Sequence, residues 1–522
     1  MRGEGPKGKT NMKRWAAFAM LALLGFLGLH AVAGAQAVGS ACTAPNGNRF
    51  NLEPRPNAVV QTAESVAVLP NRAAPGIDLV VATATEERGF GPDGFYVQRS
   101  TEGCTADLEG GLPVITNSFD VFAPFGSATA VADPAHDAFF IADLRFGIQT
   151  DENGVGIVRA SSAKLLDTTT CPNGTQSAGS AECFDTGSVF NITELNASLS
   201  NPNIAVDQRT SGTGAGDVYS VVTQRNPNAP LHSAVYLMAC RNAELDCSNS
   251  IKISGSDVEG DYAWVQVRPD GGITVSYRNT RFPGINPEAI KFVNCTANGA
   301  PAAPTCRAPV LVNNEKTPIF ASFIGDVPMD DELYPKHAHR LESDGTTVTT
   351  FLVYDRCAAA VLDYHFVQQF CPKTEVVVTS SSDGGATWSP MANVSTSTGQ
   401  QFLGAVATDA STGTVNIAYY STENDPFQQR PQIFVAQVAP GTTTVGTPQL
   451  LTSAAADVQA SSPLISLFAP SGFGTRIGLA AAGTGSAGQS RAYVGFTWNS
   501  SFGTYSGAAL PDMNNHLTLF EY

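Results

Sequence analysis

Charge is what this chain has least of. Only 15% of its 522 residues are Asp, Glu, Lys or Arg, and the basic ones are scarcer, 30 against 46 acidic. A coiled coil or helical bundle draws on far more Glu, Lys, Leu and Arg, so those classes are excluded. A nucleic-acid binder carries a basic excess to neutralise phosphates, whereas the formal charge here is −16. The hydrophobic fraction is an ordinary 43%, which excludes wholesale disorder. Also missing are a CxxC pair, an HExxH helix, a phosphate loop and a dinucleotide fingerprint. Beyond the N-terminal segment, no apolar run is long enough to span a bilayer.

What is present begins with a targeting segment. Lys7, Lys9, Lys13 and Arg14 form a basic start, Trp15 to Leu29 is apolar, and Ala35-Gln36-Ala37 is a small-x-small cleavage site. This is the layout of a secretory signal peptide over residues 1–37. A membrane anchor is the alternative, disfavoured because the run is short and a cleavage site follows it. Cleavage leaves residues 38–522 as one expected domain, with 25 basic and 45 acidic residues and a formal charge of −20. The expected location is secreted, extracellular or periplasmic, and the expected state a monomer.

Ten cysteines, all beyond the leader, fit an oxidising compartment. Cys171/Cys183, Cys240/Cys247, Cys295/Cys306 and Cys357/Cys371 are close neighbours suited to local staples, which leaves Cys42/Cys104 as a long-range pair. A zinc site lacks the necessary spacing.

A phrase of three short strands recurs. Its first strands end at Val68, Ala132, Val206, Val267, Leu341, Ala407 and Ala481, a mean spacing of about 69 residues. β-Branched and aromatic runs alternate with Gly, Pro, Asn and Asp, and 49 Gly and 32 Pro supply the turns. Repeats of this length, with about four strands each, predict an all-β fold, a β-propeller, with paired β-sandwiches as the alternative. Seven blades is the expected count and six the runner-up. The last repeat stops after its third strand, so a strand from residues 38–63 is expected to close the ring.

In the fifth repeat the third strand runs into Ser381-Ser382-Asp383-Gly384-Gly385-Ala386-Thr387-Trp388. Asp and Ser there are placed to bond turn amides, Gly to permit the bend and Trp to pack beneath it. This octapeptide resembles the Asp-box, or BNR repeat, of sialidase-type propellers, with Ser381, Asp383, Gly385, Thr387 and Trp388 as the structural positions. Arg99 to Cys104 looks like a decayed copy, and Cys240/Cys247 and Cys295/Cys306 stand at the same phase of repeats three and four. The resemblance implies a carbohydrate-active fold. Its sialidases clamp a carboxylate with three arginines and use a Tyr nucleophile, a Glu base and an Asp acid. The Phe/Tyr-Arg-Ile-Pro motif that carries the first arginine is absent here.

Arginine nevertheless recurs after the second strands, as Arg88, Arg145, Arg225, Arg278 and Arg356. Either these five form an anionic-ligand face, or they pin loops by pairing with Glu86, Glu87, Asp143 and Asp355. Tyr420 and Glu423 are the candidate nucleophile and base, although Tyr419 and Tyr420 alternate in a strand and at least one belongs in the core. Asp331 is the candidate acid. The acidic groups Asp257/Glu259/Asp261 and Asp330/Asp331/Glu332 have oxygens for a structural Ca²⁺, and no other cofactor is expected. His337 and His339 share a strand face but lack a third metal ligand. Two functions follow: a non-catalytic propeller that binds extracellular glycans or proteins, and an exo-acting glycoside hydrolase of sialidase type on anionic glycans.

Overall fold

The computed structural model describes residues 43–44, 47–51, 61–74, 77–86, 94–99, 107–117, 120–150, 152–176, 181–194, 198–226, 229–257, 259–279, 288–315, 322–324, 327–329, 334–363, 368–452, 476–483, 490–505 and 508–521. Ser40–Tyr522 forms one compact unit. The expected leader lies outside the described residues, as do Cys42, Cys104, Arg88 and Asp331.

Strands dominate, and the described helical residues amount to Ser162–Leu166 and a short 3₁₀ turn at Ala181–Cys183. The described strands pair into seven sheets. Their first strands are Gln61–Ala74, Val121–Asp133, Leu199–Val206, Gly260–Val267, Lys336–Leu341, Gln401–Thr408 and Gly478–Gly483. Each covers the repeat position expected for it. Each also neighbours the first strand of the next sheet, and the seventh neighbours the first. The fold is therefore the β-propeller expected from the repeats. The described sheets number seven, and the propeller arrangement has six blades, the second of the two counts expected.

Ring packing explains why the second strands read as unbroken apolar runs. Both faces of a sheet are covered by its neighbours. In Val415–Ser421, Tyr419 joins Val353, Val376 and Phe434 in a cluster toward the fifth sheet. Tyr420 joins Phe402, Ile433 and Phe496 in a cluster toward the seventh. Another cluster, with Val66, Val80, Tyr493 and Leu517, joins the seventh sheet to the first. The seventh sheet is completed as expected: Gly47–Asn51 pairs antiparallel with Ala508–Glu521, Arg49 opposite Thr518.

The described disulfides join the four neighbouring pairs, Cys171–Cys183, Cys240–Cys247, Cys295–Cys306 and Cys357–Cys371. Two staple the turn after the third strands of sheets three and four. In sheet five that place is taken by the octapeptide, which folds as its chemistry requires. The Ser381 hydroxyl accepts from the Gly385 amide at 2.8 Å and donates to Asp383 at 2.8 Å. Asp383 also accepts from the Thr387 amide at 2.9 Å and its hydroxyl at 2.6 Å. These bonds hold the Asp383 carboxyl down to about 2. Trp388 donates to the Gly385 carbonyl at 3.1 Å and packs edge-on against Phe292 of sheet four. Of the decayed copy, Arg99 alone is described; its side chain donates to the Cys171 carbonyl at 2.7 Å and to Asn173.

Four first strands share a further device. Their pairing with the second strand slips, once in three of them and twice in Val121–Asp133, and a non-glycine residue at a slip has positive φ: Ser127 (60°), Asn201 (56°), Tyr262 (52°) and Leu403 (55°). Each bulge re-aims the start of a strand that borders the ring centre. Such backbone is sparsely populated for β-branched and bulky residues and persists only where surroundings hold it.

Candidate functional site

The supports of these bulges come from neighbouring sheets. Asp355, in Val348–Asp363 of the fifth sheet, accepts from the Leu403 amide at 2.6 Å and the Gly404 amide at 3.1 Å. Its burial pushes the carboxyl up, opposed by those amides and by the charges of Arg278 and Lys336. Asn203 accepts from the Val265 amide at 2.9 Å, and Asp261 accepts from Asn201 at 2.9 Å and from the Tyr262 amide at 2.8 Å. The strand starts are thus fixed to one another across the sheets.

Side chains from three sheets meet at this end of the ring. Tyr262 and Trp264 project from sheet four, Tyr334 and Lys336 from sheet five, and Arg476 precedes the first strand of sheet seven. Tyr334 stands edge-on to Tyr262, with centroids 5.7 Å apart, and to Trp264, 6.2 Å. The Arg476 guanidinium lies 4.4 Å from the centre of the Tyr334 ring and bonds its hydroxyl. Lys336 Nζ lies 5.3 Å from the Trp264 ring and donates to the Ile477 carbonyl at 3.0 Å. Tyr334, Lys336 and Arg476 are buried, whereas Tyr262 and Trp264 keep part of their surface open. Trp264 Nε1–H is buried and has no hydrogen-bond acceptor among the described residues. Cations held against aromatic faces at low dielectric are worth more than on the surface, and flat rings with a spare N–H are what sugar faces and hydroxyls engage.

Sequence reasoning missed this cluster. Its signal was the alternation Tyr262-x-Trp264 and Tyr334-x-Lys336 just where two first strands begin. Of the recurrent arginines, four lie among the described residues. Arg145 is buried, with Nε 2.8 Å from Asp143 and a further bond to the Pro113 carbonyl. Burial raises the Asp143 carboxyl to about 7 against the pull of Arg145. Arg356 donates to Glu375 at 3.2 Å and Asn393 at 2.8 Å. Arg278 is buried, bonds the Asp355 carbonyl and lies 5.8 Å from the centre of the Tyr354 ring. Arg225 is exposed.

Tyr420 is fully buried, its ring stacked on Phe402 with centroids 5.2 Å apart. Glu423 accepts from Ser421 at 3.1 Å and Ser395 at 3.4 Å. Of the acidic candidates, Asp257 accepts from the Tyr277 hydroxyl at 2.6 Å, and Glu259 and Asp261 are buried. His337 and His339 do share a face. Both rings meet the Thr274 hydroxyl through Nε2 at 2.8 Å, and burial depresses both, His339 to about 3. Among the described residues no cluster of three His, Cys, Asp or Glu is poised for a metal ion.

No protein-family model matches the chain, and no curated protein matches it. Solved structures do resemble it in arrangement. A Hadza microbial sialidase is 10% identical over 86% of this chain and 74% of its own, with a TM-score of 0.40. The polysaccharide lyase Uly1 is 12% identical over 94% and 95%, with a TM-score of 0.43. An α-L-arabinofuranosidase from Fusarium graminearum is 8% identical over 76% and 98%, with a TM-score of 0.39. The structural neighbours of this chain thus include a sialidase and polysaccharide lyases of propeller-like arrangement.

Proposed function

We propose that this chain is an exported propeller that binds an anionic glycan at its ring centre, with residues 1–37 as a removable leader. The observation that supports this reading is the convergence of Tyr262, Trp264 and Tyr334 with Lys336 and Arg476 from three sheets. Aromatic faces supply the platform for a sugar ring. The two buried cations favour a carboxylate or sulfate on it. Binding fits this chain better than hydrolysis by Tyr420 and Glu423, because the Tyr420 ring is stacked within the core.

The test is a titration of the chain from residue 38 onward with sialyllactose, with an acidic galacturonate oligosaccharide and with lactose, followed by tryptophan fluorescence. Saturable quenching by at least one acidic sugar, with none by lactose, is expected. Trp264→Ala is expected to weaken the interaction about tenfold or more, since a ring contact of this kind is worth on the order of 1–2 kcal/mol. A glycan array with no acidic hits would sink the proposal. Turnover of a fluorogenic sialoside would replace binding by catalysis.

A further inference from the structure

A second cationic place lies at the rim, between sheets three and four, away from the ring centre. One wall is the outer strand Ile251–Lys252 and the turn that follows it through Asp257. The other is the outer edge segment from Thr305–Cys306 to Pro309, with Lys291 of the adjoining strand Glu288–Thr296 between them. The space between is about 400 Å³. That is within the range of small-ligand sites, about 300–1,000 Å³.

The walls are fixed. Cys306 is bonded to Cys295 and pairs with it across the strands. Gly255 turns with φ 60°, the Asp257 amide donates to the Ser254 carbonyl at 3.0 Å, and a Cβ on Gly255 would come within 3.4 Å of Pro309. Asp257, the one carboxylate lining the cleft, accepts from the Tyr277 hydroxyl at 2.6 Å and keeps its charge.

The cations are what set this cleft apart. Acidic residues outnumber basic ones 46 to 30, and described basic side chains such as Arg159, Arg209 and Arg340 sit on carboxylates. Among the described residues, the Lys and Arg side chains with no hydrogen-bond or ion-pair partner are Arg225, Lys252, Lys291 and Arg307. Three of those four line this cleft. Three cations against the single carboxylate of Asp257 leave the lining with a formal excess of positive charge, which an anion in the cleft would offset. Ser256 adds an exposed hydroxyl, while Ala308 and Pro309 add an apolar surface, backed by the buried Ile253 and Ser254.

We infer that this cleft binds a short anionic saccharide segment, its sulfate or carboxylate among Lys252, Lys291 and Arg307 and its ring face on Ala308 and Pro309. The inference stands whether or not the ring centre binds sugar. An inorganic ion would leave the apolar wall and most of the volume unused.

Calorimetric titration of the chain from residue 38 onward tests it, with four probes: a heparin-derived tetrasaccharide, a tetragalacturonate, maltotetraose and inorganic sulfate. Expected is binding of the sulfated or the carboxylated tetrasaccharide that weakens as salt rises, and the arm that binds identifies the oxyanion. The double variant Lys252→Gln/Arg307→Gln should weaken it about tenfold, as two partly exposed ionic contacts allow. Both residues are exposed, so an unchanged thermal midpoint certifies the fold of the variant. Trp264→Ala should leave this binding intact, which separates the rim from the ring centre. Equal affinity for maltotetraose, equal affinity for inorganic sulfate, or indifference to the double variant together with Lys291→Gln would each overturn the inference.

Discussion

Gly385 is the sharpest test of how the octapeptide clamps two sheets together. It has φ 86°, and a Cβ built there would stand 2.5 Å from a Phe292 ring carbon. Phe292 is fully buried between Trp388 and His337, with centroids at 5.1 and 5.2 Å, so it has no room to swing away. Gly385→Ala therefore carries two costs. The left-handed backbone costs about 1–2 kcal/mol for a residue with a Cβ. Overpacking against an immobile ring adds roughly 1–3 kcal/mol. Gly441 provides the control. It sits in the matching turn of sheet six with φ 71°, and a Cβ there meets nothing within 4 Å. Gly441→Ala should show the backbone cost alone. For a unit of this size the unfolding entropy is about 1 kcal/mol per kelvin, so the midpoints should fall by about 1–2 °C for Gly441→Ala and about 2–5 °C for Gly385→Ala. Calorimetry on both variants in one buffer measures this. Equal shifts would refute the clash with Phe292, and with it the account of the octapeptide as an inter-sheet clamp.

Asp143 makes stability depend on pH. The folded carboxyl titrates at about 7 and an unfolded one near 4, so the native state holds the extra proton between them. Stability then falls as pH rises through that window, and Asp143→Asn should remove this part of the slope in thermal melts from pH 4 to 8. Opening Cys295–Cys306 with a paired Cys295→Ser/Cys306→Ser change should cost about 2–4 kcal/mol and also weaken saccharide binding at the rim, read by melts and calorimetry. Tyr420→Ala should destabilise by about 3–5 kcal/mol, whereas Tyr420→Phe should leave glycan binding at the ring centre unchanged, as a core position requires.

The repeat was legible because each sheet restates one pattern: all seven first strands cover the predicted positions, and Gly47–Asn51 supplies the predicted closing strand. The bulges were not, because Ser127, Asn201, Tyr262 and Leu403 share no residue type; what they share is a slip in pairing, which exists only once two strands meet. The ring-centre cluster was half legible. Its aromatics alternate visibly, but Lys336 and Arg476 come together only through ring closure. The arginine series was legible as a recurrence, but the partner of each member was not. At two of these recurrent positions the sheet supplies a carboxylate partner, Asp143 for Arg145 and Glu375 for Arg356, and such pairing is set strand by strand.

The pairing of Gly47–Asn51 with Ala508–Glu521 sets an order of events for a chain that emerges N-terminus first. An early-made strand, paired on one side only with Thr43–Ala44, must keep its other edge open until the strand that receives it has been made. Local hairpins close within each repeat as synthesis proceeds, while the ring itself stays an open arc with two bare edges. The most aggregation-exposed interval is thus set by the time taken to deliver the intervening repeats. Because the two partners lie side by side once the ring is shut, a circular permutant cut in another inter-sheet loop should reach the same fold with that waiting period moved to a different pair of strands.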